Sequence, residues 1–218
     1  MGLINVEKIA LGTQQQYQDS VFPLVYSGQG CSDLAAVTDW LQEHREQIED
    51  ELTTHGALLF RGFGVTDDQG FDRFIRSFDW PSFTYEDSLS NAVRHNRTEL
   101  VFTANEAPAS VSIFLHHEMA QTPIYPSKLF FFCELAPDSG GATPICRSDI
   151  LLAHLQEEIP DFLADCENKG IRYSQTMPAE NDLESGQGRS WRSTLSAESI
   201  KEAEAKLARL NYEWQWQA

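Results

Sequence analysis

An apolar run that ends in two histidines and an acid sets the terms for this chain. Val111-Ser112-Ile113-Phe114-Leu115 is apolar and β-branched enough for a strand, and it leads into His116-His117-Glu118-Met119. In a strand, residues two apart share a face and lie roughly 6–7 Å apart along the chain. His116 and Glu118 are therefore expected on one side and His117 on the other. A second apolar run, Lys128 to Leu135 around Phe130-Phe131-Phe132, reads as a central strand. It is followed by a turn and by Gly140-Gly141-Ala142-Thr143-Pro144, whose glycines permit backbone angles that other residues resist.

A neutral imidazole and a carboxylate converging from one strand make two of the three donors of a 2-His-1-carboxylate facial triad. Such a site holds non-haem Fe(II) and leaves coordination positions open. The triplet itself is common, since 6 His and 33 acidic residues in 218 give about one His-x-acid by chance. This chain has a second, His44-Arg45-Glu46, in a segment with helical spacing, where residues two apart do not face each other. That pair reads as a solvated helix face. The weight of His116 and Glu118 comes from their surroundings.

Those surroundings resemble a known family. Leu115–Met119, the Pro126-x-Lys-Leu-Phe-Phe-Phe-Cys133 run, Gly140-Gly-Ala-Thr143 and Gly170-Ile-Arg-Tyr173 occur in the order seen in the taurine dioxygenase (TauD/TfdA)/clavaminate synthase-like family. Upstream, His55-Gly-Ala-Leu-Leu-Phe-Arg-Gly-Phe63 is similar to the family's early "hG-x-x-x-fRGf" strand, and Gly188-Arg-Ser-Trp191 and Tyr212-Glu-Trp214 also fit. The resemblance covers about residues 20–216. It implies Fe(II)/2-oxoglutarate-dependent oxygenases. The implied fold is α+β, mainly β: a double-stranded β-helix (jelly-roll, cupin-like) core with flanking helices, in a single oxygenase domain over 1–218.

By the same resemblance His116 and Glu118 are metal ligands and the catalytic pair, and Thr143 hydrogen-bonds the 2-oxoglutarate. The segment 81–98 corresponds to the substrate entrance, which makes Tyr85, Arg94 and Arg97 candidates; Arg97 is given no role. The family's third ligand is a histidine on a distant strand, followed by an arginine for the far carboxylate of 2-oxoglutarate. Nothing in residues 1–218 matches that segment, and the later strands of the core are missing too. The third histidine is expected beyond residue 218, in a longer polypeptide, with a naturally short, inactive relative as the competing reading.

The implied reaction consumes O2 and 2-oxoglutarate, releases succinate and CO2, and hydroxylates an unactivated C–H bond of a small molecule. Halogenating relatives have a small residue where Glu118 stands, so a carboxylate points to hydroxylation, with desaturation left open. Glu rather than Asp resembles the branch of clavaminate synthase and the arginine and asparagine hydroxylases. An amino acid or a derivative, free or bound to a carrier protein, is then the expected substrate; a homo-oligomer is compatible with the family. Two other classes stay open: a non-catalytic member that binds a ligand or partner, and a cupin-like metal enzyme with a different oxidant or none.

Composition agrees with an acidic enzyme. A formal charge of −17 argues against nucleic acid and anionic membrane as partners, which call for basic patches. No apolar run approaches the ~20 residues that span a bilayer, and the N-terminus lacks a signal peptide's basic-then-apolar layout. Val6 stands where N-myristoylation calls for Ser or Thr. Cys31, Cys133, Cys146 and Cys166 are widely spaced with no C-x-x-C pair, and Cys133 reads as a small buried hydrophobe; a reducing cytoplasm is expected.

Local patterns place the remaining elements. Val21 to Tyr26 is a short apolar stretch. Asp33 caps a helix running to His55, with Leu34, Val37, Leu41, Ile48 and Leu52 as its stripe and Gly56 as its stop. Ala57 to Phe60 is a buried strand. Asp67 to Trp80 is a helix whose Phe71, Phe74, Ile75 and Phe78 form a core stripe. Leu100 to Ala104 is a strand and Glu106 to Ala109 a loop. Helices follow at 148–156, carrying His154 as an ordinary helix residue, and at 161–168. Gly170 to Gln175 is a strand, 178–188 a lid-like loop, and Ser196 starts a last helix before the alternating Tyr212, Trp214 and Trp216.

Overall fold

The computed structural model describes residues 4–83, 89–90, 92, 94–104, 110–182 and 188–217. The chain forms two compact units, Met1–Pro81 with Phe130–His154, and Ser82–Leu129 with Leu155–Ala218.

In the first unit the strand Leu24–Ser27 is buried throughout and lies at the centre of a three-stranded sheet. Numbered in chain order, the strands are β1 (Glu7–Ile9), β2 (Gln15–Tyr17), β3 (Ser20–Phe22), β4 (Leu24–Ser27) and β5 (Leu58–Arg61). β1 pairs antiparallel to one edge of β4 and β5 pairs parallel to the other, with Val25 opposite both Ile9 and Leu59. Parallel neighbours cannot be joined by a tight turn, so the chain crosses over through helices α1 (Leu34–Glu43) and α2 (Arg45–His55). β2 and β3 form a separate hairpin.

Helix limits follow local chemistry. Asp33 caps α1 by accepting from the Ala35 N–H at 3.0 Å, and Gly56, at φ +75°, closes α2 in the left-handed region that glycine tolerates. The expected single helix over 33–55 is broken at His44, whose ring stacks on Trp40 at 4.5 Å and whose Nδ1 donates to the Trp40 carbonyl. His44 is thus part-buried on Trp40 and leaves the solvated face expected for that triplet. α3 spans Asp68–Arg76, with the Asp67 carboxylate accepting from Gly70 N–H at 2.7 Å. Its aromatic stripe is core: Phe74 and Phe78 join Leu24, Tyr26, Val37, Leu41, Ile48 and Phe63 in one cluster. Gly64, at φ +67°, lets the chain pass close to Cys31; a Cβ there would lie 2.5 Å from the Cys31 carbonyl oxygen.

The run after Leu129 keeps a strand's alternation without a strand's ladder. Phe130 and Phe132 pack inward against Phe78 and Phe71, while Phe131 is 71% exposed. Among the described residues it has no hydrogen-bonded neighbour strand, so the expected central strand is extended chain, with Phe130 and Phe132 packed on aromatic neighbours. Cys133, on the outward phase of that alternation, is exposed rather than buried, and all four cysteines are free. α4 (Ser148–Glu158) is anchored at its start by Arg147, which donates to Ser20 Oγ at 2.7 Å and to the Asp149 carboxylate, and lies over the Tyr17 ring.

The second unit holds α5 (Pro160–Lys169), α6 (Trp191–Leu195) and α7 (Ile200–Arg209). Its core joins Leu89, Trp191, Leu195, Ala197, Ala203 and Leu207. The last helix begins after Ser199, which caps it; Ser196, expected to start it, sits at φ +48° and terminates α6. Arg189 ties this unit together by donating to the carbonyls of Ser90 and Ser193. The stretches at 170–175 and 212–216 are extended but unpaired among the described residues, and Leu100–Ala104 contributes one isolated bridge, Asn96 to Phe102. The described chain is therefore richer in helix than the expected mainly-β fold, because several apolar runs lack a ladder partner. Glu106 to Ala109, and residues 183–187 of the expected lid-like loop, lie outside the described residues. Among the described residues no helix is long and apolar enough to cross a membrane.

A buried polar knot in the first unit gives a pH test. Glu51 accepts from Lys8 at 2.5 Å, from Gln47 at 2.9 Å and from the Tyr26 hydroxyl. Burial pushes the Glu51 carboxyl up, but the Lys8, Tyr26 and Gln47 hydrogen bonds outweigh it and hold the group below its ordinary value. Burial and the neighbouring carboxylate raise the Tyr26 phenol. A carboxyl lowered in the fold stabilises above its unfolded value, about 4.3, and loses that contribution as pH falls toward the folded value. Urea midpoints should therefore fall more steeply below about pH 4.3 in the unchanged chain than in Glu51→Gln. Parallel profiles would contradict this.

Candidate functional site

The residues around Glu118 owe their placement to a turn rather than to a sheet. Val111–Leu115 is extended, but it has no ladder partner among the described residues; Ile113 is 53% and Phe114 83% exposed. The chain then turns: Ala120 N–H donates to the His117 carbonyl at 3.2 Å, and Thr122 N–H and Oγ1 both reach the Met119 carbonyl. Met119 occupies the left-handed region at φ +60°, unfavourable for a residue with a Cβ, and its side chain is 2% exposed. Burying that thioether side chain anchors the turn, and Glu118 is carried immediately before it.

His116 and Glu118 converge. His116 Nε2 lies 3.9 Å from Glu118 Oε2. The other carboxylate oxygen, Oε1, lies 3.3 Å from Arg94 Nη2. Glu118 is 13% exposed and Arg94 19%, so this ion pair is largely shielded from solvent, whereas His116 is 57% exposed. His116 Nδ1 is 2.7 Å from the Phe114 carbonyl oxygen, which can only accept. The proton of the neutral ring is thereby placed on Nδ1, and the Nε2 lone pair faces Glu118.

These features suit a divalent metal. Metal-bound histidines commonly donate their second nitrogen to a backbone carbonyl, which fixes tautomer and ring orientation. A metal about 2.1 Å from each donor sets adjacent octahedral donors ~3 Å apart, and small side-chain rotations close the observed 3.9 Å. The donor set is a borderline nitrogen and a hard oxygen, as non-haem Fe(II) prefers. Two donors do not complete a site: among the described residues no three of His, Cys, Asp and Glu come close enough to hold a metal ion.

Thr143 lies in the first unit, exposed, in extended chain that follows Gly140 at φ +67° and Gly141 at φ +65°. Arg97 belongs to a tight turn through its N–H bond to the Val101 carbonyl at 2.8 Å. Tyr85 lies outside the described residues. Two open clefts, of about 270 and 350 Å³, are lined by residues around Arg147 and around Cys166, and neither includes His116, Glu118 or Thr143. Sequence reasoning placed Arg94 only at an entrance; its contact with Glu118, 24 residues away, has no local signature.

Comparison with known proteins gives a consistent result. The model of the family described as "Taurine catabolism dioxygenase TauD, TfdA family" matches residues 20–216. A clavaminate synthase-like protein of Arabidopsis thaliana is 32% identical over 209 residues, covering 93% of this chain and 63% of that protein. The dapdiamide synthesis protein DdaC of Enterobacter agglomerans is 30% identical over 182 residues, covering 84% of this chain and 51% of DdaC. The chain thus spans about half to just under two thirds of the length of these relatives.

The His116 geometry predicts an observable tautomer. In the metal-free chain, ¹⁵N spectra of the neutral His116 ring should show the proton on Nδ1. A dominant Nε2–H form would contradict the hydrogen bond to Phe114 and the orientation of the donor pair.

Proposed function

Because the chain belongs to the TauD/TfdA dioxygenase family, we propose that it is the Fe(II)- and 2-oxoglutarate-binding part of an oxygenase that hydroxylates a small molecule. The observation that carries this reading is the convergence of His116 Nε2 and Glu118 Oε2, with the imidazole oriented by the Phe114 carbonyl. His116 and Glu118 would hold the metal, and the third donor, by resemblance to the family, would be a histidine that the described residues do not bring to this pair. When bound, Fe(II) with 2-oxoglutarate supplies the activation of O2: one oxygen atom enters the substrate C–H bond, the other the 2-oxo acid, which leaves as succinate and CO2.

The residues of this chain position and exclude. His116 presents a lone pair because its other nitrogen is engaged. Glu118 supplies negative charge that offsets part of the metal's, from a turn anchored by buried Met119. Thr143, by resemblance, donates its hydroxyl to 2-oxoglutarate. The family implies a cupin-like double-stranded β-helix, and the apolar runs at 111–115, 128–135, 170–175 and 212–216 have the composition of its strands without being paired as strands among the described residues. Phe130, Phe131 and Phe132 support that assignment, since their burial already alternates.

A carboxylate at position 118 favours hydroxylation over halogenation, and glutamate in particular favours an amino acid or amino-acid derivative, free or carrier-bound. The test is succinate release by the full chain with Fe(II), 2-oxoglutarate and O2 against a panel of amino acids and their derivatives. Turnover should appear with part of that panel and fall to background in Glu118→Ala. Unchanged turnover in that variant would contradict the assignment. Metal binding with no 2-oxoglutarate consumption across the panel would favour a ligand-binding relative without turnover.

A further inference from the structure

We propose that Arg94 is a positioning residue for Glu118: it occupies Oε1 so that the carboxylate meets the metal through Oε2 alone. The inference rests on the metal reading of His116 and Glu118 given above.

The two carboxylate oxygens are already assigned to different neighbours. Oε1 lies 3.3 Å from Arg94 Nη2, and Oε2 is the oxygen nearer His116, 3.9 Å from its Nε2. A glutamate can ligate a metal through one oxygen or both, and ligation through both takes two coordination positions. A guanidinium on Oε1 opposes the second mode and leaves a position open for reactants. At 19% and 13% exposure the pair is shielded enough from water to hold this geometry, unlike a surface ion pair.

Both partners are mounted on closed local structure. Arg94 leaves the base of a small hairpin-like loop: His95 N–H meets Thr103 Oγ1 at 3.0 Å, Thr103 N–H meets the His95 carbonyl at 2.9 Å, and Val101, inside the loop, is 8% exposed. Glu118 sits in the turn fixed by Met119 and Thr122. The guanidinium also draws charge from the carboxylate, which taken alone weakens ligation. For partners that orient a metal ligand the orienting effect dominates, and their loss typically lowers metal affinity ~10–100-fold.

The experiment is Co(II) titration of the full chain, read by dissociation constant and by the intensity of the visible Co(II) bands, with folding checked by circular dichroism. Arg94→Gln should weaken Co(II) binding ~10–100-fold and alter the band intensity, as Oε1 becomes available to the metal. Arg94→Lys keeps the charge but not the planar fork, and should lose part of the affinity; it carries the test if Arg94→Gln does not fold. In a Glu118→Ala background Arg94→Gln should change nothing further, whereas an arginine that only supports the fold would weaken binding in both backgrounds. Wild-type affinity and bands in Arg94→Gln or Arg94→Lys, alongside loss of binding in His116→Ala, would overturn the role of Arg94 and leave the metal site standing. Undiminished binding in His116→Ala would overturn both.

Discussion

Glu118 brings a carboxylate to a place only 13% exposed, and that constraint organises what surrounds it. A shielded carboxylate without hydrogen bonds or a cation is strongly disfavoured. Here one oxygen has Arg94, and the other lies 3.9 Å from His116 Nε2. The turn at 118–120, the buried Met119 and the hydrogen bond from His116 to Phe114 keep His116 and Glu118 directed at a common place.

Extended apolar segments are the second notable feature. Phe114, Phe131 and Leu135 are 83%, 71% and 88% exposed, and the runs that contain them have strand composition without a ladder among the described residues. By contrast β4, which has partners on both edges, is buried along its whole length. Apolar composition makes a segment fit to be a strand, but pairing of its N–H and C=O groups makes it one.

What could be read in the sequence was mostly local. Asp33 as a cap, Gly56 as a helix stop and the Phe74 and Phe78 stripe all follow from short-range spacing. The break at His44, the outward face of Cys133 and the true start of α7 after Ser199 depended on which neighbour a side chain meets. Long-range partnerships were invisible: Arg147 reaches Ser20 across 127 residues and Arg94 reaches Glu118 across 24. At the site, the pairing of His116 with Glu118 was foreseen on a strand, whereas the structure forms it at a turn.

The most direct measurement is anomalous diffraction from crystals of the full chain loaded with Mn(II) as an O2-stable stand-in for Fe(II). The account predicts a peak within about 2.1–2.2 Å of both His116 Nε2 and Glu118 Oε2, with Glu118 Oε1 still on Arg94. A peak elsewhere, with His116 and Glu118 left as they stand, would contradict it.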